Sequence, residues 1–208
     1  MPTIRRLTDS CLLITSEHGT TVIDPGFLTF ESDEIELETI GDVQHVLVTH
    51  EHGDHVKPEF VRWLVDRGTD VTVHSNESVS ALLARYDIEA SNENPPGVSS
   101  QDVLHEMVPS GQRPPNRSFT IEGVITHPGD SYEPTTTAPV LALPLVAPWG
   151  SATAAVEFAR RLAPRQVVPI HDFYMSRNGR RWIADAVKDV LAPAIELIVL
   201  DWGDSYSV

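Results

Sequence analysis

The chain has 208 residues, with 15 Lys and Arg against 30 Asp and Glu, a formal net charge of −15. Hydrophobic residues make up 41%, enough for a sizeable core, and charged residues 22%, too few for a disordered acidic chain. A field this negative repels a polyanion, which excludes nucleic acid as a partner. Nothing before residue 20 is apolar for long enough to be a signal segment. The longest apolar segment, Ala138–Trp149, is broken by Pro139, Pro144 and Pro148, so no membrane span is expected. The lone cysteine, Cys11, has no internal partner and lies in an apolar run. It reads as a buried thiol, and a reducing cytoplasm is the expected compartment.

The opening third reads as short strands, Thr3–Leu7, Cys11–Thr15 and Thr20–Ile23, separated by Asp9-Ser10 and His18-Gly19 and closed by Asp24-Pro25-Gly26. Residues 31–42 carry six acidic side chains and no Lys or Arg, which fits a solvated face or short helix. Val43–Thr49 has the pattern of a buried strand that stops at His50. Helical spacing follows over Lys57–Arg67, then a strand at Val71–His74 and a helix over Asn76–Tyr86, which Ser75 or Asn76 can cap. Residues 91–117 are rich in proline and read as a long loop with one short strand near Val103–Val108. Strands are expected again at Ser118–Ile121, Val124–Thr126 and Val140–Leu143. Helix Ser151–Leu162, strand Gln166–Ile170, helix Arg180–Leu191 and strand Ile195–Leu200 complete the chain. Meanders followed by β/α alternation predict helices outside a mainly β core, in one domain spanning 1–208.

The chemistry is concentrated in Thr49-His50-Glu51-His52-Gly53-Asp54-His55. Here four metal-ligand side chains fall within six residues, directly after an apolar strand. His50 and His52 project to one side of an extended backbone. Gly53 permits a turn that brings Asp54 and His55 to the same space. Imidazole suits zinc, iron or manganese, and carboxylate adds a hard anionic ligand. One short loop cannot fill two coordination spheres. Asp130 in the run His127–Ser131, His171 after the strand ending at Ile170, and His105 in the proline-rich region are the further candidates. Whether His105 or His127 is the remaining histidine ligand stays open, His127 otherwise orienting Asp130 or touching substrate; Asp24 and Asp172 are placed to support ligands. Trp149, Tyr174 and Arg177 are candidate pocket walls, while His18, His45 and His74 read mainly as structural.

These motifs resemble the metallo-β-lactamase fold of metal-dependent hydrolases. The resemblance rests on His-x-His-x-Asp-His at residues 50–55, Asp24-Pro25-Gly26, Gly129-Asp130-Ser131 and a histidine ending a late strand. It extends to the branch related to ascorbate-6-phosphate lactonases through His127–Ser131, Pro148-Trp149 and Val168–His171. It implies an αββα sandwich with two divalent ions, zinc foremost with manganese or iron as alternatives. His50, His52 and His105 would hold one ion, and Asp54, His55 and His171 the other, with Asp130 between them. Asp54 and Asp130 would orient the nucleophile. Histidine at position 52 departs from the flavodiiron pattern, and Asp130 stands where a glyoxalase-like motif has histidine.

The reading is therefore a cytoplasmic hydrolase that cleaves a small-molecule ester, lactone or phosphodiester with activated water and needs no nucleic-acid or membrane partner. A homo-oligomer is compatible with it. Two alternatives stay open: a mononuclear iron oxygenase acting on persulfides, and a non-catalytic metal or ligand sensor on the same fold. In a mobility assay at physiological salt, the chain is expected to form no complex with duplex DNA. Tight, salt-sensitive binding would overturn the small-molecule reading.

Overall fold

The computed structural model describes residues 2–208. Two six-stranded sheets face one another, each built from an antiparallel meander that continues into parallel strands. In the first sheet, β1 (Thr3–Arg6), β2 (Leu12–Ser16) and β3 (Gly19–Ile23) run antiparallel. Then β4 (His45–Leu47) and β5 (Thr72–His74) pair parallel to β3 in turn. The second sheet repeats the plan with β6 (Val98–Leu104), β7 (Pro115–Ile121) and β8 (Ile125–His127), then parallel β9 (Val140–Pro144), β10 (Gln166–Ile170) and β11 (Glu196–Leu197). The last strand, β12 (Ser205–Ser207), returns to the first sheet beside β1.

Period-two alternation assigns each apolar residue to one of three layers. Ile4, Leu12, Ile14, Ile23 and Leu47 point from the first sheet toward Phe119, Ile121, Val140, Ala142, Val168 and Ile170 of the second. Their neighbours Leu13, Val22, Val46 and Val73 point outward. There they meet α2 (Pro58–Arg67) and α3 (Glu77–Ala84) through Phe60, Val61, Leu64, Val79 and Leu83. On the far side, Leu141, Leu143 and Val167 are covered by α4 (Ala152–Leu162) and α5 (Arg177–Leu191) through Ala155, Phe158, Ala184 and Val187. The layers are those of an αββα sandwich, the architecture expected. Among the described residues, no helix is long and apolar enough to cross a membrane.

Most predicted elements are present, with shifted ends. Asn76 caps α3 by accepting the Val79 amide at 3.1 Å. Ser176 caps α5 through the Gly179 amide, so that helix starts three residues before the expected Arg180. In residues 31–42 the acidic side chains face solvent around buried Ile35 and Ile40. The short helix α1 (Phe27–Glu31) and the strand β12 were not expected, and only Glu196–Leu197 of the expected strand at 195–200 pairs. The larger correction lies in residues 91–117. The expected loop is mostly a hairpin, with all seven residues of β6 paired to β7. Strand β6 is the edge of its sheet and is exposed along most of its length, so its sequence VSSQDVL lacks an apolar face.

Phe119 is fully buried between the sheets. Phe119→Ala should cost about 3–5 kcal/mol of unfolding free energy, read from denaturant titration. A loss below 1 kcal/mol would show that the inter-sheet layer is not the principal core.

Candidate metal centre

Both sheets present the C-terminal ends of their parallel strands at one edge, the position where α/β sheets commonly hold ligands. His50 follows β4, His171 follows β10, Asp130 follows β8 and His105 follows β6. Each side chain is carried to the edge by a strand, buried in β4, β8 and β10 and exposed in the edge strand β6, and released where the ladder ends.

All seven expected ligands converge there in two adjoining groups. One contains His50, His52, His105 and Asp130; the other contains Asp54, His55 and His171. His50 Nε2 lies 3.1 Å from His52 Nδ1, and His105 Nε2 lies 3.2 Å from Asp130 Oδ2. His171 Nε2 is also 3.2 Å from Oδ2, while His55 Nε2 is 3.1 Å from Asp130 Oδ1. Asp54 completes the second group with Oδ2 at 3.6 Å from His171 and 3.9 Å from His55. Asp130 thus touches both groups. Five of the seven are buried, and only His52 and Asp54 reach solvent.

A layer of polar contacts fixes the inward nitrogens. Asp24, itself buried, accepts the Thr49 amide on Oδ1 at 2.8 Å; its Oδ2 accepts the Thr49 hydroxyl at 2.9 Å and His55 Nδ1 at 2.7 Å. With its proton given to Asp24, Thr49 Oγ1 accepts from His50 Nδ1 at 3.0 Å. His105 Nδ1 donates to the Glu106 carbonyl at 2.6 Å. The Nε2 lone pairs of His50, His55 and His105 therefore face the centre. Asn116 fixes the backbone of the Asp130 loop: its Nδ2 donates to the Pro128 carbonyl and its Oδ1 accepts the Asp130 amide. Gly129, at φ +61°, passes so close to Asn116 that a Cβ would lie 2.2 Å from Oδ1.

Electrostatics follow from this crowding. Burial works against the charged form of Asp130, yet His55 and His171 outweigh it and hold the carboxyl well below its usual range. Burial likewise opposes protonation of His55, but Asp130, Asp24 and Asp54 push its pKa well above the ordinary imidazole value. His171 rises to about 9 against its own burial, mainly through Asp130. His50 goes the other way, well below normal, because burial and the neighbouring His55 both disfavour its charge.

The donor set fits a cation. His55 Nε2, His105 Nε2 and Asp130 Oδ1 are buried with no hydrogen-bond partner among the described residues. Such groups are costly unless something accepts their lone pairs. Imidazoles with carboxylates are the ligands of zinc and of non-haem iron or manganese.

His127 has the supporting role expected of it rather than that of a ligand: Nε2 donates to the Ser10 carbonyl at 2.9 Å and Nδ1 accepts the Gly129 amide at 3.2 Å, shaping the turn before Asp130. Other expected roles are reassigned. Asp172 pairs with buried Arg6 at 2.5 Å rather than with His171. Gly53 is not in the left-handed region, and its added Cβ would make only ordinary contact with Phe27. The glycine that matters is Gly26, where a Cβ would fall 1.8 Å from the Asp54 carbonyl. Cys11 is buried, and burial pushes its thiol pKa up. His18 pairs with Glu122 at the surface, and His74 bonds Thr72 and the Glu93 carbonyl, away from the centre. Asn116 and Asp9 were not singled out by sequence. Asp9 holds the His171 loop through its own carbonyl and through Oδ1, which accepts the Phe173 amide at 3.0 Å. Asp9, Asp24 and His171 all adopt positive φ, a conformation that Asp and His enter more readily than most side chains.

The fold and this edge define a class before any relative is considered: an αββα sandwich with a histidine–aspartate centre at the strand ends. The family profile described as a beta-lactamase superfamily domain matches residues 3–171, and the chain belongs to that family. It is 28% identical over 188 residues to Protein Rv0786c of Mycobacterium tuberculosis, covering 82% of this chain and 84% of that one. Among solved structures it resembles a metal-dependent hydrolase from Parabacteroides distasonis (TM-score 0.73, 20% identity, 95% and 92% of the two chains). It also resembles Igni18, a metallo hydrolase from Ignicoccus hospitalis (TM-score 0.74, 17% identity, 100% and 99%). Those two likenesses establish the fold.

Asp24→Asn removes the charge that orients His55 and, through Thr49, His50. Zinc affinity measured by competition with a chelating dye should fall ~10–100-fold, with the far-UV circular dichroism spectrum retained. Unchanged affinity would show that the imidazoles are oriented without Asp24.

Proposed function

We propose that this chain is a metal-dependent hydrolase working with two divalent cations, zinc foremost, on a small-molecule ester, lactone or phosphodiester. The observation that supports this most is the placement of Asp130 Oδ2, 3.2 Å from both His105 and His171. Donor atoms that would hold one cation stand a little over 3 Å apart, and the Asp130 carboxylate has that spacing to a histidine of each group. His50, His52 and His105 would hold one cation, and Asp54, His55 and His171 the other, with Asp130 common to both. Cations in such a site lower the pKa of bound water toward neutrality and stabilise negative charge on an attacked carbonyl or phosphoryl oxygen.

The remaining work falls to the protein. Asp54, whose side chain is 20% exposed, is the carboxylate on the open side and is placed to accept a proton from an incoming water. Asp130, buried behind it, orients the nucleophile by keeping its charge fixed between the two histidine groups. No serine or cysteine nucleophile is required; Cys11 is buried in the core with a raised pKa. A relation to the ascorbate-6-phosphate lactonase branch, suggested by His127–Ser131 and Val168–His171, favours lactones and sugar phosphates as the first substrates to try. A cytoplasmic location and independence from nucleic acid and membrane belong to the same reading.

Protein purified without added metal, analysed for bound ions and then assayed on lactones, esters and phosphodiesters, tests it. Asp130→Asn keeps the side-chain volume and deletes the charge. It should lower metal occupancy and reduce hydrolysis by at least ~10-fold, whereas His45→Gln should leave metal content unchanged. Two ions bound normally and wild-type turnover in Asp130→Asn would refute the shared-carboxylate mechanism. A single iron with oxygen-consuming activity would favour the oxygenase alternative.

A further inference from the structure

Trp149 stands in the turn after β9, half-buried, and makes the shortest polar contact to the Asp130 carboxylate. Its indole Nε1 donates to Oδ2 at 2.7 Å. The ring is edge-on to His105 and to His171, with centroids 5.6 Å away in each case, so it meets one histidine from each ligand group. Tyr132 backs it at 5.3 Å, anchored by a bond from its hydroxyl to the Pro144 carbonyl and packed in turn on Phe158 of α4. The indole is therefore held from behind by the core and aimed at one oxygen.

That aim answers a question the backbone contacts leave open. Asn116 fixes the main chain of Asp130, but the terminal carboxylate torsion is broad and two-fold, so the main chain does not choose the plane of the oxygens. Only one carboxylate plane puts one oxygen within 3.2 Å of both His105 and His171 while the other faces His55. A donor on Oδ2 selects that orientation, and a charge-assisted bond from a buttressed ring is a strong selector.

We propose that Trp149 is a positioning residue for Asp130, its indole N–H holding Oδ2 where both histidine groups meet. The inference rests on the metal-binding reading above and adds to it the group that presets the shared carboxylate before any cation arrives. Preorganisation of this kind lowers the cost of ordering a ligand on binding. Phenylalanine at position 149 keeps an aromatic ring beside His105, His171 and Tyr132 while deleting the N–H. The substitution therefore separates the bond from the wall.

Zinc binding by wild type, Trp149→Phe and Trp182→Phe is measured by isothermal titration calorimetry, alongside thermal melts of the metal-free forms. Trp182 is exposed on α5 and serves as the control. Trp149→Phe is expected to weaken at least one zinc-binding step by ~10-fold or more, with melting temperature and stoichiometry retained. Trp182→Phe should match wild type. Zinc should also change the tryptophan emission of wild type and Trp182→Phe, and much less that of Trp149→Phe. Unchanged affinity in Trp149→Phe at every step, even with the emission change lost, would overturn the inference and leave the ring as a wall. A wild type that takes up one zinc, bound more weakly by Trp149→Phe, would sustain the inference and overturn the two-ion reading.

Discussion

One buried carboxylate organises the edge of the sandwich. Asp24 follows β3 in a left-handed conformation at φ +53° and turns its side chain toward Thr49 beyond the neighbouring strand. Each of its oxygens takes a hydrogen bond from Thr49, and Oδ2 also takes His55 Nδ1. A buried anion without such donors would cost several kcal/mol, so the loop after β4 must be in place for Asp24 to be tolerated at all. Conversely, the loop has no regular structure of its own beyond the short turn in which His55 and Val56 amides reach the His52 carbonyl. Gly26 closes the arrangement by letting its backbone lie against the Asp54 carbonyl, where any side chain would collide. The strand end, the loop and the glycine specify one another.

The repeated plan of the sheets explains why a second set of ligands meets the first. In both halves a meander turns into parallel strands, and parallel strands align all their C-terminal ends at one edge. The first sheet supplies His50, His52, Asp54 and His55 from a single connection. The second must assemble its share from three connections, after β6, β8 and β10. That difference makes the second half more dependent on buttressing. Asn116, the Arg6–Asp172 pair and the Asp9 contacts to residues 171 and 173 all serve connections from the second sheet.

This asymmetry also sets what could be read from the sequence. The cluster at residues 50–55 was legible because its candidate ligands are contiguous, and the helices outside a mainly β core because strand meanders give way to β/α alternation along the chain. His105 could be placed only by order along the chain. The geometry puts it, and not His127, in the ligand group, since both nitrogens of His127 are taken by backbone. Strand β6 was illegible because an exposed edge strand needs no apolar face. Asn116 and the bond from Trp149 to Asp130 were illegible for another reason. Each acts across 14 or 19 residues of chain through a single polar atom, and a lone Asn or Trp in a sequence carries no sign of its partner.

The two groups of candidate ligands differ in donor chemistry and in electrostatics. Three imidazoles make up the first group apart from Asp130, whereas the second contributes two imidazoles and the carboxylate of Asp54. The second group thus has a hard carboxylate donor of its own, and it carries the solvent-facing oxygen. His55 and His171 have pKa values raised above the ordinary imidazole value, while His50 lies well below it. The two groups meet at one carboxylate: Asp130 lies against His55 and His171, and its Oδ2 is the oxygen that accepts the Trp149 indole N–H.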